Sequence, residues 1–244
     1  MKISFRKLWK RVQTFLPLPC PWCREGDGGG RNDLCPKCRK RLAFIDTSLP
    51  GCPGCGGSNC GTLALCPQCL NEPERLWLRA VALLEYRDDA GEMIRSFKFQ
   101  NRPELARPLG DMLAQKVIAS GIDFDLIVPV PLYWRRLWQR GYNQAALLGE
   151  RIASASGRKQ LHLLKRVLRR TQQAQRNRKE RHSELAGSFK LIAPQKVKGR
   201  TILLVDDVLT TGATLHAAAA ELLKAEPLAL YVAVLARTPS WDRQ

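Results

Sequence analysis

The chain has 244 residues, 45% of them hydrophobic, which allows a sizeable core in one large domain or two smaller ones. Its 40 lysines and arginines oppose 22 acidic residues, and the net charge of +18 at pH 7 favours phosphates, nucleic acid or an anionic membrane surface as partners. No apolar run is long enough to span a bilayer, so we expect no transmembrane helix.

The first predicted element, over residues 1–19, is a short basic helix. Apolar residues recur there at helical spacing, while Lys7, Lys10 and Arg11 occupy the remaining face. This helix either docks on the protein itself or makes peripheral contact with a membrane surface or a partner. The segment has neither the apolar stretch nor the cleavage site of a signal peptide. We therefore expect a cytoplasmic protein, one that can also lie at the inner face of the membrane.

Nine cysteines follow, and eight of them form four C-x-x-C pairs. Each pair presents two thiolates from one tight turn, and two such turns complete a tetrahedral zinc site. Sequential pairing of the turns gives two sites, while an interleaved arrangement also fits the spacing. The sites by sequential pairing are Cys20, Cys23, Cys35 and Cys38, then Cys52, Cys55, Cys66 and Cys69. Sites closed by four thiolates indicate structural zinc, and Cys60 is left over as a free thiol or a substitute ligand.

Two other uses of these cysteines fit the sequence less well. A disulfide framework requires an oxidising compartment, and no export signal precedes the cysteines. A thioredoxin-like redox site uses one C-x-x-C at a strand-to-helix junction, not four in series. Because the segment has few apolar residues, we expect residues 20–74 to form a small domain that folds around metal.

Residues 75–244 have the pattern of an α/β domain, in which apolar strands alternate with helices of a dozen or so residues. The strands are predicted at 78–86, 125–130, 201–207 and 228–236, and the helices at 103–120, 143–157 and 213–225. Since the strands are apolar throughout, the predicted sheet is parallel and covered on both faces.

The stretch LLVDDVLTTGATL, residues 203–215, predicts a binding site. Asp206 and Asp207 stand at the carboxyl end of a strand, where parallel sheets bind ligands. The Thr/Gly turn that follows leads into a helix, whose free N–H groups suit a phosphate. Carboxylates accept the protons of vicinal ribose hydroxyls. The combination predicts a pocket for a ribose 5-phosphate.

These residues resemble the phosphoribosyl pyrophosphate (PRPP) signature of type I phosphoribosyltransferases. Residues 96–110 and 128–148, and more loosely residues 169–189, are similar to the ComF/GntX family. The resemblance implies an α/β fold with a type I phosphoribosyltransferase-like parallel sheet flanked by helices. In the family, a small N-terminal double zinc ribbon precedes this domain. Cys60 of this chain departs from the family's usual cysteine pattern.

The resemblance also implies roles for individual residues. Asp206 and Asp207 bind the PRPP ribose, Arg136 and Arg140 contact the pyrophosphate, and Lys98 is a weaker candidate for that contact. The 5-phosphate is bound by Leu209, Thr210, Thr211, Gly212, Ala213 and Thr214. A Mg2+ ion bridges pyrophosphate and ribose oxygens. Catalysis then comes from positioning and electrostatics, with Asp206, Asp207 and Arg140 as the catalytic candidates.

A basic, aromatic stretch, YWRRLWQRGY at residues 133–142, has two interpretations. Its guanidinium groups and rings suit single-stranded nucleic acid, with Arg135, Arg136, Trp138 and Arg140 as the candidate contacts. Alternatively, it is a solvated loop beside the pyrophosphate, with its aromatic residues packed over the site.

The sequence leaves three functions open. The first is a ComF-like PRPP-binding protein that handles imported single-stranded DNA in natural competence, with the competence helicase machinery as a partner. The second is an active phosphoribosyltransferase of nucleotide or small-molecule metabolism without a DNA role. The third is a PRPP-sensing regulator without turnover, since fold and function are separable.

Overall fold

The computed structural model describes residues 18–28, 32–46, 51–58, 64–71, 75–167 and 187–239. The predicted N-terminal helix, Cys60 and most of the basic segment at 169–189 lie outside these ranges. Within them, no helix has the length and apolar character needed to cross a bilayer.

The centre of the molecule is a five-stranded parallel sheet in the order β1-β7-β6-β2-β3. A separate antiparallel pair is formed by β4 and β5. In chain order the strands are β1 (Arg79–Glu85), β2 (Leu126–Pro129), β3 (Lys159–Gln160), β4 (Leu164–Arg166), β5 (Phe189–Leu191), β6 (Thr201–Leu209) and β7 (Ala229–Arg237).

Helices cover both faces of the sheet, as the apolar strands predict. They are α1 (Pro36–Lys40), α2 (Pro67–Leu70), α3 (Asp88–Phe99), α4 (Ala106–Ala119), α5 (Trp134–Arg140), α6 (Gln144–Ser156) and α7 (Ala213–Leu223). Alternate residues of β6 divide the core into two halves. Leu203 and Val205 pack with α3, α4 and α6, whereas Ile202 and Leu204 pack with α7. The predicted parallel α/β fold is confirmed.

The cysteine-bearing segments lie along the outer edge of β1. Each of α1 and α2 begins directly after a cysteine, with a proline in its first turn, where the missing N–H costs no hydrogen bond. The Ala80 N–H of β1 donates to the Pro53 carbonyl (2.8 Å), and Phe44 forms an isolated antiparallel bridge with Leu84. These contacts satisfy backbone groups that an edge strand would otherwise leave open to another chain.

Candidate functional site

The structure brings the eight predicted zinc ligands together in two clusters, which follow the sequential pairing. The four Sγ atoms within each cluster lie within 4.8 Å of one another. Cys23 and Cys35 Sγ are 3.8 Å apart in the first cluster, and Cys55 and Cys66 Sγ are 3.7 Å apart in the second. A zinc–sulfur bond of about 2.3 Å gives a tetrahedron with an edge of about 3.8 Å, so both clusters fit zinc.

Hydrogen-bond donors surround the sulfur atoms of both clusters. The Cys35 N–H donates to Cys20 Sγ (3.3 Å), and the Cys66 N–H donates to Cys52 Sγ at the same distance. Backbone hydrogen bonds from Glu25 and Gly26 lower the pKa of Cys23 to about 6. Such donors stabilise thiolates, the form that binds metal, and most of the ligands are buried. Both clusters therefore suit a closed, structural site.

The acid pair lies at the carboxyl end of β6. Asp207 Oδ1 is 2.8 Å from Lys98 Nζ of α3, and both side chains are largely buried. Asp206 Oδ1 accepts the backbone N–H of Asp207 (2.8 Å). Burial and the neighbouring charge of Asp207 raise the pKa of Asp206 to about 7, while Lys98 and Arg166 oppose this shift. The two acids therefore differ. Asp207 has an ion-pair partner, whereas the carboxyl group of Asp206 titrates near pH 7.

Residues 209–214, here called the phosphate turn, connect β6 to α7. Gly212 precedes the helix with a φ of +81°, a left-handed conformation that favours glycine. Its carbonyl accepts the His216 N–H (2.7 Å), and Thr211 Oγ1 accepts the Ala213 N–H (3.4 Å). The turn thus presents the first N–H groups of an 11-residue helix next to the acid pair.

The loop after β2 lies beside the acid pair because β2 and β6 are neighbours, with Pro129 paired to Val205. Arg140 of α5 stacks on the Phe99 ring at 4.6 Å, and its Nη1 donates to Gln144 Oε1 (3.3 Å). Burial lowers the pKa of Arg140, and the negative charge of Asp207 opposes this shift. The predicted pyrophosphate contact Arg140 therefore shares one region with Asp207 and its partner Lys98.

Three residues of this region, Tyr142, Gln144 and Arg166, were not predicted as site residues from the sequence. The Tyr142 hydroxyl and the Gln144 side-chain amide both donate to the Phe97 carbonyl, at 2.6 and 3.1 Å, which fixes the end of α3 that carries Lys98. Arg166 of β4 lies near Asp206. Burial and the charge of Arg136 lower the pKa of Arg166, and the negative charge of Asp206 opposes this shift. The polar start of α6 was a usable signal for Gln144, whereas nothing local distinguishes Arg166 from other basic residues.

The basic, aromatic stretch forms α5, in which no residue is buried. Trp138 is 85% exposed and Trp134 is 60% exposed, and Phe99, which contacts Arg140, is 68% exposed. Arg135 stacks on the Trp134 ring, with its Cζ 5.3 Å from the ring centre. Trp134 and Trp138 thus lie at the surface, while most of the segment 169–189 lies outside the described residues. The predicted nucleic-acid contacts Arg135, Arg136 and Trp138 share an exposed helix next to the acid pair.

Comparison with known proteins agrees with this arrangement. Residues 160–242 match the phosphoribosyl transferase domain family. Competence protein F of Haemophilus influenzae is 32% identical over 212 residues, which cover 84% of this chain and 90% of the relative. DNA utilization protein YhgH of Escherichia coli K12 is 32% identical, over 91% of this chain and 98% of the relative. Competence protein ComFC of Bacillus subtilis is 31% identical, over 78% of each chain.

The likeness to these relatives covers most of each chain, so it extends well beyond residues 160–242. The chain therefore belongs to the ComF family, the family of competence protein F and ComFC, and its carboxyl-terminal part is a phosphoribosyltransferase-like domain.

Proposed function

We propose that this protein binds PRPP with Mg2+ at the acid pair and the phosphate turn, and that it handles imported single-stranded DNA in natural competence. The observation that carries the PRPP site is the acid pair at the end of β6, directly before the phosphate turn and 2.8 Å from the cation of Lys98. The names of the relatives, competence protein and DNA utilization protein, support the process. The competence helicase machinery is the partner that we propose on the DNA side.

Each part of PRPP has a complementary group in this site. The N–H groups of the phosphate turn take the 5-phosphate, and the carboxylates of Asp206 and Asp207 accept ribose hydroxyls. Arg136 and Arg140 take the pyrophosphate, for which Lys98 is a further cation. The carboxylate oxygens suit Mg2+, which when bound neutralises charge on the pyrophosphate. The chain's own contribution is to hold the ribose and the pyrophosphate of PRPP in fixed positions.

Calorimetric titration of the zinc-loaded protein with PRPP and Mg2+ tests the binding site. We expect saturable binding in the micromolar range, about −8 kcal/mol. Omission of Mg2+ is expected to weaken the binding, because the pyrophosphate charge is then neutralised only by Arg136, Arg140 and Lys98. Absence of saturable heat at millimolar PRPP would contradict the proposed site.

Phosphoribosyl transfer is a second candidate function, supported by the fold of residues 160–242 and by the cations around Asp207. In this reaction the bond from the anomeric carbon to pyrophosphate breaks and an acceptor forms a new bond to the same carbon. Arg140 would stabilise the departing pyrophosphate. Release of pyrophosphate that depends on both PRPP and an added base or amine would support transfer, and PRPP binding without any such release would support a sensor.

The exposed helix α5 is the surface that we propose for DNA. Single-stranded nucleic acid is bound by positive groups for its backbone and by flat side chains on which bases stack. Trp138 offers an almost fully exposed ring, and Arg135 and Arg136 lie on the same seven-residue helix. In a chain of net charge +18, such a surface attracts polyanions.

Joint substitution of Arg135 and Trp138 by Ala is expected to weaken binding of an unstructured oligonucleotide while PRPP binding is retained. The lost ring contributes about 1–3 kcal/mol per stacked base. Each lost phosphate contact lowers the salt slope of log K by about 0.7. Fluorescence anisotropy across a series of salt concentrations measures both effects.

The control is Lys198→Ala with Lys224→Ala, which removes two positive charges shortly before β6 and β7, at the amino ends of these strands and away from the acid pair. Both lysines are largely exposed. Equal weakening by the control pair would mean that binding follows net charge alone, and no oligonucleotide binding by the native protein would exclude α5 as a DNA surface.

A further inference from the structure

A chain of contacts runs from the second cysteine cluster to the phosphate turn. The carbonyl of Gly54, between the ligands Cys52 and Cys55, accepts the indole N–H of Trp77 (3.0 Å). The Arg75 guanidinium lies over the Trp77 ring, with its Cζ 5.4 Å from the ring centre. Arg75 Nη1 then donates to the Thr211 carbonyl (3.1 Å) within the turn.

This last hydrogen bond fixes the direction of a phosphate-binding N–H. The Thr211 carbonyl and the Gly212 N–H belong to one planar trans peptide, so they point in opposite directions. With the carbonyl held by Arg75, the Gly212 N–H faces away from that side chain. The two groups are so close that a Cβ at Gly212 would collide with the guanidinium.

Arg75 is held by its contacts with Trp77 and Thr211, while two of its nitrogen atoms make no hydrogen bond among the described residues. These two atoms, Nε and Nη2, are buried. Buried donors without an acceptor are unfavourable. The contact with Trp77 and the hydrogen bond to the Thr211 carbonyl therefore hold Arg75 in this position.

A second link joins the same cluster to the start of the turn. Buried Arg237, the last residue of β7, donates from Nη1 to Cys55 Sγ (3.3 Å). In the sheet Arg237 is paired with Leu209, and the Thr238 N–H donates to the Leu209 carbonyl (3.0 Å). The cluster is thus connected to both Leu209 and Thr211 by an arginine.

We propose that Arg75 is a positioning residue of the phosphate turn, and that Arg75, Trp77 and Arg237 couple the second cysteine cluster to binding of a 5-phosphate. Metal in this cluster orders the turn and raises its affinity for ligands that carry a 5-phosphate. By reciprocity, such a ligand slows the loss of zinc from this cluster. The ligand part of this inference rests on the proposed PRPP site.

The first test is calorimetry on the full zinc-loaded chain with ribose 5-phosphate, with PRPP and with inorganic pyrophosphate. For Arg75→Met we expect roughly tenfold weaker binding of the first two ligands and unchanged binding of pyrophosphate, whose proposed contacts lie on α5. Arg75→Lys, which keeps the charge and one donor, should restore part of the affinity. The control is Arg79→Met, whose side chain donates to the Ser120 carbonyl away from the turn.

Unchanged affinity for ribose 5-phosphate in Arg75→Met would overturn the positioning role. An equal loss for pyrophosphate would also overturn it, because a general structural defect would then account for the result.

The second test requires no ligand, so it separates this inference from the proposed function. Hydrogen–deuterium exchange is measured for the peptide covering residues 206–216 in the native protein and in Trp77→Phe. This variant keeps a ring but loses the N–H that contacts Gly54. We expect several-fold faster amide exchange in the phosphate turn with zinc content retained. Unaltered exchange would overturn the coupling, even if the native protein binds PRPP, whereas faster exchange would support it even if PRPP does not bind.

Discussion

Asp206→Asn is expected to abolish PRPP binding and yet to stabilise the ligand-free protein above pH 7. Burial and the charge of Asp207 raise the pKa of Asp206 to about 7. In the unfolded chain the same carboxyl titrates near 4. The unfolded state therefore loses this proton first, and the stability of the native protein falls as the pH rises from about 4 to about 7. An asparagine has no carboxyl proton to lose, so the stability of Asp206→Asn does not fall for this reason.

The Asp206 side chain is only partly buried, so solvent screening makes the gain in unfolding free energy smaller than the full pKa shift implies. We expect on the order of 1 kcal/mol at pH 8, or about 2–4 °C in Tm, and no gain near pH 4. Thermal unfolding at both pH values measures it. PRPP titration over the same range should show affinity that increases through pH 7 in the native protein, because the ionised carboxylate is the better acceptor for ribose hydroxyls.

Asp207→Asn is the matched comparison, since its effect on stability has the opposite sign. The change leaves the largely buried Lys98 without its ion-pair partner. A lost hydrogen bond between charged groups costs about 1.5–3 kcal/mol, so Tm should fall. Both variants lose PRPP. Native affinity for PRPP in either variant, or a fall in Tm for both at pH 8, would contradict the roles that we assign to the acid pair.

Loss of zinc is expected to have the largest effect on folding. Structural zinc contributes an apparent 10–16 kcal/mol in small domains, about as much as the whole stability of a typical protein. Each cluster also packs into one half of the core. The ligands Cys20, Cys35 and Cys38 pack with β1 and α3, while the second cluster packs with Trp77 and β7.

Cys38→Ser or Cys69→Ser should therefore halve the zinc content and make the cysteine segments sensitive to protease. Zinc released into a chromophoric chelator, together with limited proteolysis, measures both consequences. Cys60→Ser is the control, because both clusters are complete without Cys60. Protease resistance in Cys38→Ser and Cys69→Ser that equals that of the control would contradict a structural role for zinc.

Local pattern predicted the parts of the site that depend on neighbouring residues. The C-x-x-C spacing is sufficient for both clusters, since each pair is a single turn of chain. The acid pair and the phosphate turn form one continuous segment from β6 into α7, so their juxtaposition is also local. The parallel sheet follows from the apolar strands. Only α3, whose apolar residues Met93, Ile94 and Phe97 recur at helical spacing, was overlooked among the elements with a clear pattern.

The remaining features depend on contacts between distant segments. Arg75 meets Thr211 across 136 positions of sequence, and Tyr142 meets Phe97 across 45. No local signal marks either pair, because the sequence around an arginine or tyrosine does not show whether its side chain contacts a distant segment. The strands β4 and β5 have three residues each and pair over a long intervening segment, so no turn motif connects them. Exposure of Trp138 likewise depends on what packs around α5.

The position of β1 in the sheet has a consequence for biosynthesis. Among the five strands of the central sheet, β1 is the first to be made and its neighbour β7 is the last. The inner edge of β1 therefore waits without its partner until residues 229–237 leave the ribosome, a period in which nascent chains are prone to misassembly. Its outer edge need not wait, because the cysteine segments that cover it precede it in the chain. In a zinc-loaded chain the outer edge would thus be covered as soon as β1 is made, and only the inner edge would stay open until β7 is complete.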